Sequence, residues 1–97
     1  MDRLPNIHPG EILREDFLKL MGISQYRLAK ETGLSQMRVS QIVRGKRSIT
    51  ADTALRLGMY FGVPAQFWLN LQSAYDLEEA ELALADRLKK EIQPLAA

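Results

Sequence analysis

The chain has 97 residues, of which 46% are hydrophobic and 26% are charged, and this balance is typical of one soluble globular domain rather than a disordered chain. It has no cysteine and one histidine, which excludes thiolate and multi-histidine zinc sites, and the lack of disulfides favours a cytoplasmic protein. The net charge of +1 hides an asymmetry, because residues 1–50 carry nine Lys and Arg against five Asp and Glu, whereas residues 51–97 carry four against seven.

The N-terminal segment, residues 1–10, is polar and mixed in charge, unlike a signal peptide, and no apolar run approaches the ~18 residues that span a membrane. The first helix is predicted to begin at Pro9, with His8 as its N-cap. Glu11 falls in the first turn, where its charge suits the helix dipole, and Gly22 ends the helix. The predicted apolar stripe of this helix is Leu13, Phe17, Leu20 and Met21.

Two short helices are predicted next. Ser24 is a good N-cap for the second helix, which ends at Gly33, a residue that adopts a left-handed conformation at little cost. Ser35 caps the third helix, predicted over residues 36–44. The apolar members of the third helix are Met37, Val39, Ile42 and Val43.

The remaining sequence predicts two longer helices. Residues 51–61 are apolar almost all round, which is typical of a helix in the middle of a bundle. Residues 65–93 contain neither Gly nor Pro and predict one long helix, in which Asp76 marks a place for a bend. The alternative is a break at that residue, where Asp76 and Glu79 would form a capping pair. We therefore expect an all-α single domain over residues 1–97, a five-helix bundle with a C-terminal helical extension over about residues 65–93.

The second and third helices have the spacing of a helix-turn-helix unit, residues 24–44. Their steep crossing needs a small residue, supplied by Ala29, and their turn needs a left-handed residue, supplied by Gly33 four positions later. Val39 and Ile42 then lie one turn apart, where they pack back against the second helix. This spacing therefore predicts two helices that cross through a tight turn and share one apolar pocket.

The outward face of the third helix distinguishes a DNA-binding protein from a structural bundle. It carries Gln and Arg, whose side chains form paired hydrogen bonds with adenine and guanine edges, and no acid occurs between Glu31 and Asp52. The cations that follow the third helix, and the N-terminal ends of two helices, are suited to binding phosphates. The same cations are also compatible with an ordinary solvated loop. The candidate DNA-binding residues are Gln25, Ser35, Gln36, Met37, Arg38, Ser40, Gln41, Arg44, Lys46, Arg47 and Thr50.

Residues 23–61 resemble the phage-repressor and Xre-like helix-turn-helix domains, and this resemblance implies a lambda-repressor-like bundle. The base- or phosphate-reading glutamines of those domains coincide with Gln25, Gln36 and Gln41. Met37 departs from the polar residue often found at its position, which suggests contact with a thymine methyl group. More narrowly, the chain resembles the HigA-type (VapI) antitoxins. That resemblance rests on the blocks His8-Pro9-Gly10-Glu11, Gly45-Lys46-Arg47-Ser48-Ile49-Thr50, Asp52-Thr53-Ala54-Leu55-Arg56-Leu57, Phe67-Trp68-Leu69-Asn70-Leu71-Gln72 and Tyr75-Asp76-Leu77.

The resemblance implies a protein that represses its own operon and neutralises a HigB-type toxin, a ribosome-dependent RNase that cleaves mRNA. Since one recognition helix reads only a few base pairs, we expect a homodimer on a palindromic operator. Two apolar stripes of the last helix are candidates for the dimer surface, although core packing and folding back onto the first helix would also explain them. The candidate dimer residues are Trp68, Leu71, Tyr75, Leu84 and Leu88.

Three acidic residues, Glu78, Glu79 and Glu81, form either a solvated face or a contact surface for a basic toxin. The alternative toxin surface is the N-terminal strip, residues 1–15, through Arg3 and Ile7. A stand-alone repressor without a toxin and an adaptor with a degenerate helix-turn-helix are further possibilities. An enzyme is disfavoured, because the sequence contains no nucleophile–base pair, phosphate-binding glycine loop or metal-ligand cluster, and we expect no cofactor.

Overall fold

The computed structural model describes residues 5–96, in which all regular structure is helical. The first helix, α1, has an α-helical turn, Pro9–Ile12, followed by a π-helical segment, Leu13–Lys19. The other helices are α2 (Gln25–Thr32), α3 (Gln36–Val43), α4 (Ala51–Phe61) and α5 (Ala65–Glu91). The prediction of an all-α fold with five helices is confirmed. Among these helices, none is both long enough and apolar enough to span a membrane.

The long helix α5 is continuous through Asp76, so the prediction of one long helix is confirmed and the alternative of a break at that residue is wrong. The Asp76 carboxylate accepts a hydrogen bond from Gln72 one turn earlier in α5 at 2.8 Å. The helix ends at Glu91, and Ile92 is extended two residues before Pro94. At 1.5 Å per residue, α5 is about 40 Å long, and it accounts for most of the 52 Å length of the molecule.

The core lies where the first four helices meet the N-terminal half of α5. Phe17 of α1 packs against Phe61 of α4 and Trp68 of α5, with ring centroids 4.8 and 4.9 Å apart. The buried apolar side chains are Leu13, Leu18, Leu28, Ala29, Leu34, Val39, Ile42, Val43, Ile49, Ala54, Leu57 and Trp68.

The predicted apolar stripe of α1 is wrong at its C-terminal end. Leu20 is 79% exposed and Met21 is also exposed, whereas Leu18 is buried. In a π-helix the backbone hydrogen bonds join residues five apart rather than four, which places Leu18 below Leu13 on the inner face. The change of period therefore selects a different leucine for the core.

Helix α4 is less central than its composition predicts. Ala54 and Leu57 are fully buried, but Leu55 is exposed and Met59 is 86% exposed. One face of α4 packs on α5 and α2 while the other face carries uncovered apolar side chains.

The first turn of α1 lies directly against the backbone of α3. A Cβ atom placed on Gly10 would stand 1.7 Å from the carbonyl oxygen of Ile42, so the two backbones approach more closely than any side chain permits. His8 occupies the predicted N-cap position, with its Nδ1 accepting from the Gly10 N–H at 2.9 Å. Burial lowers the pKa of His8, which Asp76 partly offsets, and a neutral imidazole is the form that accepts this hydrogen bond.

We predict that Gly10→Ala destabilises the protein strongly, because the new methyl group would overlap the Ile42 carbonyl and force α1 away from α3. Overpacking of this kind costs about 1–3 kcal/mol and sometimes more. Glu11→Ala, at an exposed position in the same turn, serves as the control and should cost less than about 1 kcal/mol. Urea unfolding of both variants measures the difference, and equal midpoints would contradict the close approach.

Candidate nucleic-acid interface

Helices α2 and α3 form the helix-turn-helix unit that the spacing predicts. Gly33 ends α2 in the left-handed conformation with φ of +77°, and Leu34 after it is buried. The hydroxyl groups of Ser24 and Ser35 accept from the backbone N–H groups of Arg27 and Arg38, at 3.0 and 3.1 Å. Both predicted caps are therefore confirmed, and they define where each helix begins.

The face of α3 opposite its buried side chains is the candidate reading face. Val39, Ile42 and Val43 point into the core. At 100° per residue, the side chains on the opposite side are Met37, Gln41 and Arg44, with Ser40 beside them. Met37 is 67% exposed, so it is not part of the core, although it was counted among the apolar members of this helix.

Three further candidates occupy the start of α3 and its flank. Ser35 and Gln36 are exposed at the N-terminal end of the helix. Arg38 lies on the flank toward α4, where its guanidinium group forms an ion pair with Asp52 at 3.1 Å. The sequence analysis did not anticipate this contact, because Arg38 and Asp52 are 14 residues apart.

The loop after α3 is tied both to the reading face and to α5. Arg47 donates through Nε to the side-chain oxygen of Gln41 at 2.8 Å, and the Lys46 N–H donates to the Gln41 carbonyl at 2.7 Å. At the other end of the loop, the Ile49 N–H donates to the Gln72 side chain at 2.7 Å. Gln72 is buried, and its role was missed because a single glutamine in a helix carries no local signal.

The surface around the reading face is positively charged. Arg44, Lys46 and Arg47 are exposed, and within residues 5–96 no carboxylate lies within ion-pair distance of them. Gln25 and Thr50 are exposed at the starts of α2 and α4. Thr50 occupies the N-cap position, but its hydroxyl group contacts the Thr53 hydroxyl rather than a backbone N–H of α4. Unpaired cations and free helix N–H groups together suit a surface that binds phosphate.

The candidate dimer residues fall into two groups. Trp68 is 0% exposed and packs inside the core against Phe17, so its side chain is not accessible to a second chain, and the prediction that it contributes to a dimer surface is corrected. Leu71, Tyr75 and Leu84 are half-buried and Leu88 is exposed.

The N-terminal segment lies on α5 near the candidate toxin residues. Asn6 donates through Nδ2 to the Tyr75 carbonyl at 3.0 Å and to the Glu79 carboxylate at 3.3 Å. The His8 ring meets the Tyr75 ring edge-on, with centroids 4.9 Å apart. Glu78 is half-buried, whereas Glu81 and Ile7 are exposed; Arg3 lies outside the described residues.

Comparisons with known proteins point to one family. A helix-turn-helix family matches residues 15–68. Virulence-associated protein I of Dichelobacter nodosus is 60% identical over 80 residues, which cover 82% of this chain and 74% of that protein. The solved structure of Pseudomonas aeruginosa antitoxin HigA with the higBA promoter is similar with a TM-score of 0.92 and 49% identity, over 95% of this chain and all of that one.

A second solved structure, antitoxin GraA in complex with its operator, has a TM-score of 0.90 and 42% identity. The match covers all of this chain and 98% of that one. The likeness therefore includes the C-terminal part of the chain, beyond the helix-turn-helix unit.

Proposed function

The chain belongs to the helix-turn-helix family and, within it, to the HigA-type antitoxins, and on that basis we propose that it is a sequence-specific DNA-binding antitoxin. It represses its own toxin–antitoxin operon and neutralises a HigB-type toxin that cleaves mRNA. The observation that carries the proposal is the acid-free outer face of α3 in a chain that matches operator-bound antitoxins along its length. This face is bordered by cations that make no ion pair within residues 5–96.

Base recognition rests on α3. Gln36 and Gln41 have amide groups that bond adenine edges in pairs, and Arg44 is suited to guanine. Met37 offers an apolar surface to a thymine methyl group at the centre of the face. Because Gln41 also accepts a hydrogen bond from Arg47, the reading face is joined directly to the loop after it.

Phosphate contacts frame that face. Lys46 and Arg47 follow α3, and Gln25 and Thr50 begin the two helices on either side of it. Contacts of this kind orient the protein on the duplex without reading its sequence.

We predict that two variants, one at a base contact and one at a phosphate contact, change DNA affinity in different ways. Gln36→Ala should cost about 1–3 kcal/mol on a palindromic duplex from upstream of the gene, with little change on a random duplex. Lys46→Ala should weaken binding to both duplexes and reduce the salt slope by about one. Fluorescence anisotropy at several salt concentrations measures both effects. If Gln36→Ala binds the palindromic duplex like the parent, α3 is not the reading helix.

A homodimer joins two reading faces on a palindromic site. The second half of α5 extends beyond the bundle and carries exposed apolar side chains, of which Leu77 and Leu88 lie on the same face of the helix. A second copy of the chain would cover this face. Recognition of a palindromic site requires the two α3 helices of the dimer to lie about one DNA turn apart, roughly 34 Å. The half-buried Leu71, Tyr75 and Leu84 contribute their remaining exposed area.

We predict that the protein sediments as a dimer and that Leu88→Glu shifts it to a monomer, because a carboxylate would be buried in an apolar interface. Leu95→Glu is the matched control, since Leu95 is also exposed but follows the end of α5. Sedimentation equilibrium at micromolar concentration measures both. A monomeric parent, alone and on DNA, would show that α5 is not a dimer surface.

We propose that the toxin binds the acidic side of α5, whose charge is opposite to that of the basic DNA face. The two alternatives raised by the sequence, the acidic residues of α5 and the N-terminal strip, are neighbours, because Asn6 bonds Glu79. Glu78, Glu79 and Glu81 provide negative charge for a basic toxin, and complementary charge mainly speeds association. Ile7 adds an exposed apolar side chain to the same region.

We predict that Glu78→Lys, Glu79→Lys and Glu81→Lys together slow toxin capture while operator binding is largely retained. The product of the reading frame next to the gene serves as the candidate toxin, and growth rescue and surface-bound capture rates measure the effect. Deletion of residues 1–7, which retains the His8 cap of α1, tests the neighbouring strip. If the triple variant captures toxin at the parental rate while the deletion abolishes rescue, the N-terminal strip is the toxin surface. If no neighbouring product co-purifies with the parent, the chain is a stand-alone repressor.

A further inference from the structure

The Asp52 carboxylate, in the first turn of α4, binds two guanidinium groups at once. Its Oδ2 accepts from Nη1 of Arg38 at 3.1 Å, and its Oδ1 accepts from Nε of Arg56 at 3.1 Å. Nη1 of Arg56 also donates to the Thr32 carbonyl at 2.9 Å. These four residues, the Asp52 network, join the end of α2, the start of α3 and the start of α4.

Two of the three charges in the Asp52 network, those of Asp52 and Arg56, are favoured by the helix ends that they face. A carboxylate at the start of α4 and a guanidinium group at the end of α2 both oppose the helix dipoles. The hydrogen bond from Arg56 is the main cause of a lowered pKa for Asp52, with a smaller contribution from Arg38, so the carboxylate is ionised at neutral pH. A Cβ on Gly33 would lie 2.8 Å from Nη1 of Arg56, so glycine leaves room for this guanidinium group.

Arg38 is held beside the reading face while most of its donors stay available. Its side chain is 35% exposed and uses Nη1 for Asp52. Within residues 5–96 its other guanidinium nitrogens make no hydrogen bond, and a guanidinium group has five N–H donors. To reach a phosphate in another direction, Arg38 would first have to leave the carboxylate.

We propose that Asp52 is a positioning residue for DNA recognition. This inference rests on the function proposed above. It holds Arg38 in one orientation, in which the free donors contact the operator, and keeps this cation from binding the phosphates of unrelated DNA. The physical reason is that non-specific affinity comes from cations that can adapt to any phosphate position. A cation restrained by a carboxylate adds to binding only where the DNA presents an acceptor at that place.

Asp52→Asn tests this inference, with affinities measured on the upstream palindromic duplex and on a random duplex of equal length between 50 and 200 mM salt. We expect the affinity for the random duplex to rise about three- to tenfold at 50 mM salt. Its salt slope should steepen by about one, since one more cation displaces counterions. The ratio of operator to random affinity should fall.

Two controls separate positioning from a simple change of net charge. Asp86→Asn removes the same charge from an exposed position late in α5 and should leave the operator-to-random ratio unchanged. In an Arg38→Gln background, Asp52→Asn should raise random-duplex affinity about threefold less at 50 mM, because the freed cation is absent. A purely structural or purely electrostatic role of Asp52 would give no such coupling.

The outcomes are distinct. A parent protein that does not prefer the palindromic duplex refutes the proposed function itself. If the parent prefers the palindromic duplex but Asp52→Asn leaves both the operator-to-random affinity ratio and the salt slope unchanged, only the inference about Asp52 is overturned. If circular dichroism shows that Asp52→Asn does not fold, the Arg38→Gln variant is measured instead. The inference requires that Arg38→Gln binds the operator more weakly than the parent and the random duplex equally well. An equal loss of affinity on both duplexes overturns it.

Discussion

The contact on which the rest of the structure depends is that between the Gly10 backbone and the carbonyl of Ile42. A helix with any side chain at position 10 would stand farther from α3, because a Cβ atom would overlap the carbonyl oxygen. His8 caps this turn and contacts Tyr75 of α5, so α3 is placed by backbone contact from one side while the core packs it from the other. A reading helix must hold its side chains at fixed distances from base edges, and close backbone packing provides that rigidity.

Polar contacts complete the placement of the proposed DNA-binding surface. The Gln72 side chain binds the Ile49 N–H, which fixes the basic loop to α5, and Arg47 binds Gln41, which fixes the same loop to α3. Leaving the Ile49 N–H without an acceptor in this buried position would cost about 1–3 kcal/mol. The loop therefore has a defined conformation although it has no regular secondary structure, and its cations stand at set positions around α3.

The basic N-terminal half and the acidic C-terminal half of the chain form separate surfaces in the folded protein. Arg44, Lys46 and Arg47 are exposed around α3, whereas Glu79 and Glu81 belong to the part of α5 beyond the core. Such an arrangement keeps an acidic protein surface away from DNA phosphates, with Asp52 as the exception because its charge is compensated by two guanidinium groups. The proposed toxin surface is therefore separate from the proposed DNA surface, and the two differ in charge.

The sequence by itself determined what depends on neighbours along the chain. The Ser24 and Ser35 caps, the left-handed Gly33 and the β-branched pair of α3 act within a few residues, so the helix-turn-helix unit could be predicted from their spacing. Only the tertiary structure decided which face each longer helix buries. The π-helical period places Leu18 in the core and Leu20 in solvent, and Trp68 is buried. Arg38 pairs with Asp52, which lies 14 residues later in the chain. These outcomes depend on packing between segments distant in sequence, and local patterns carry no record of which segments meet.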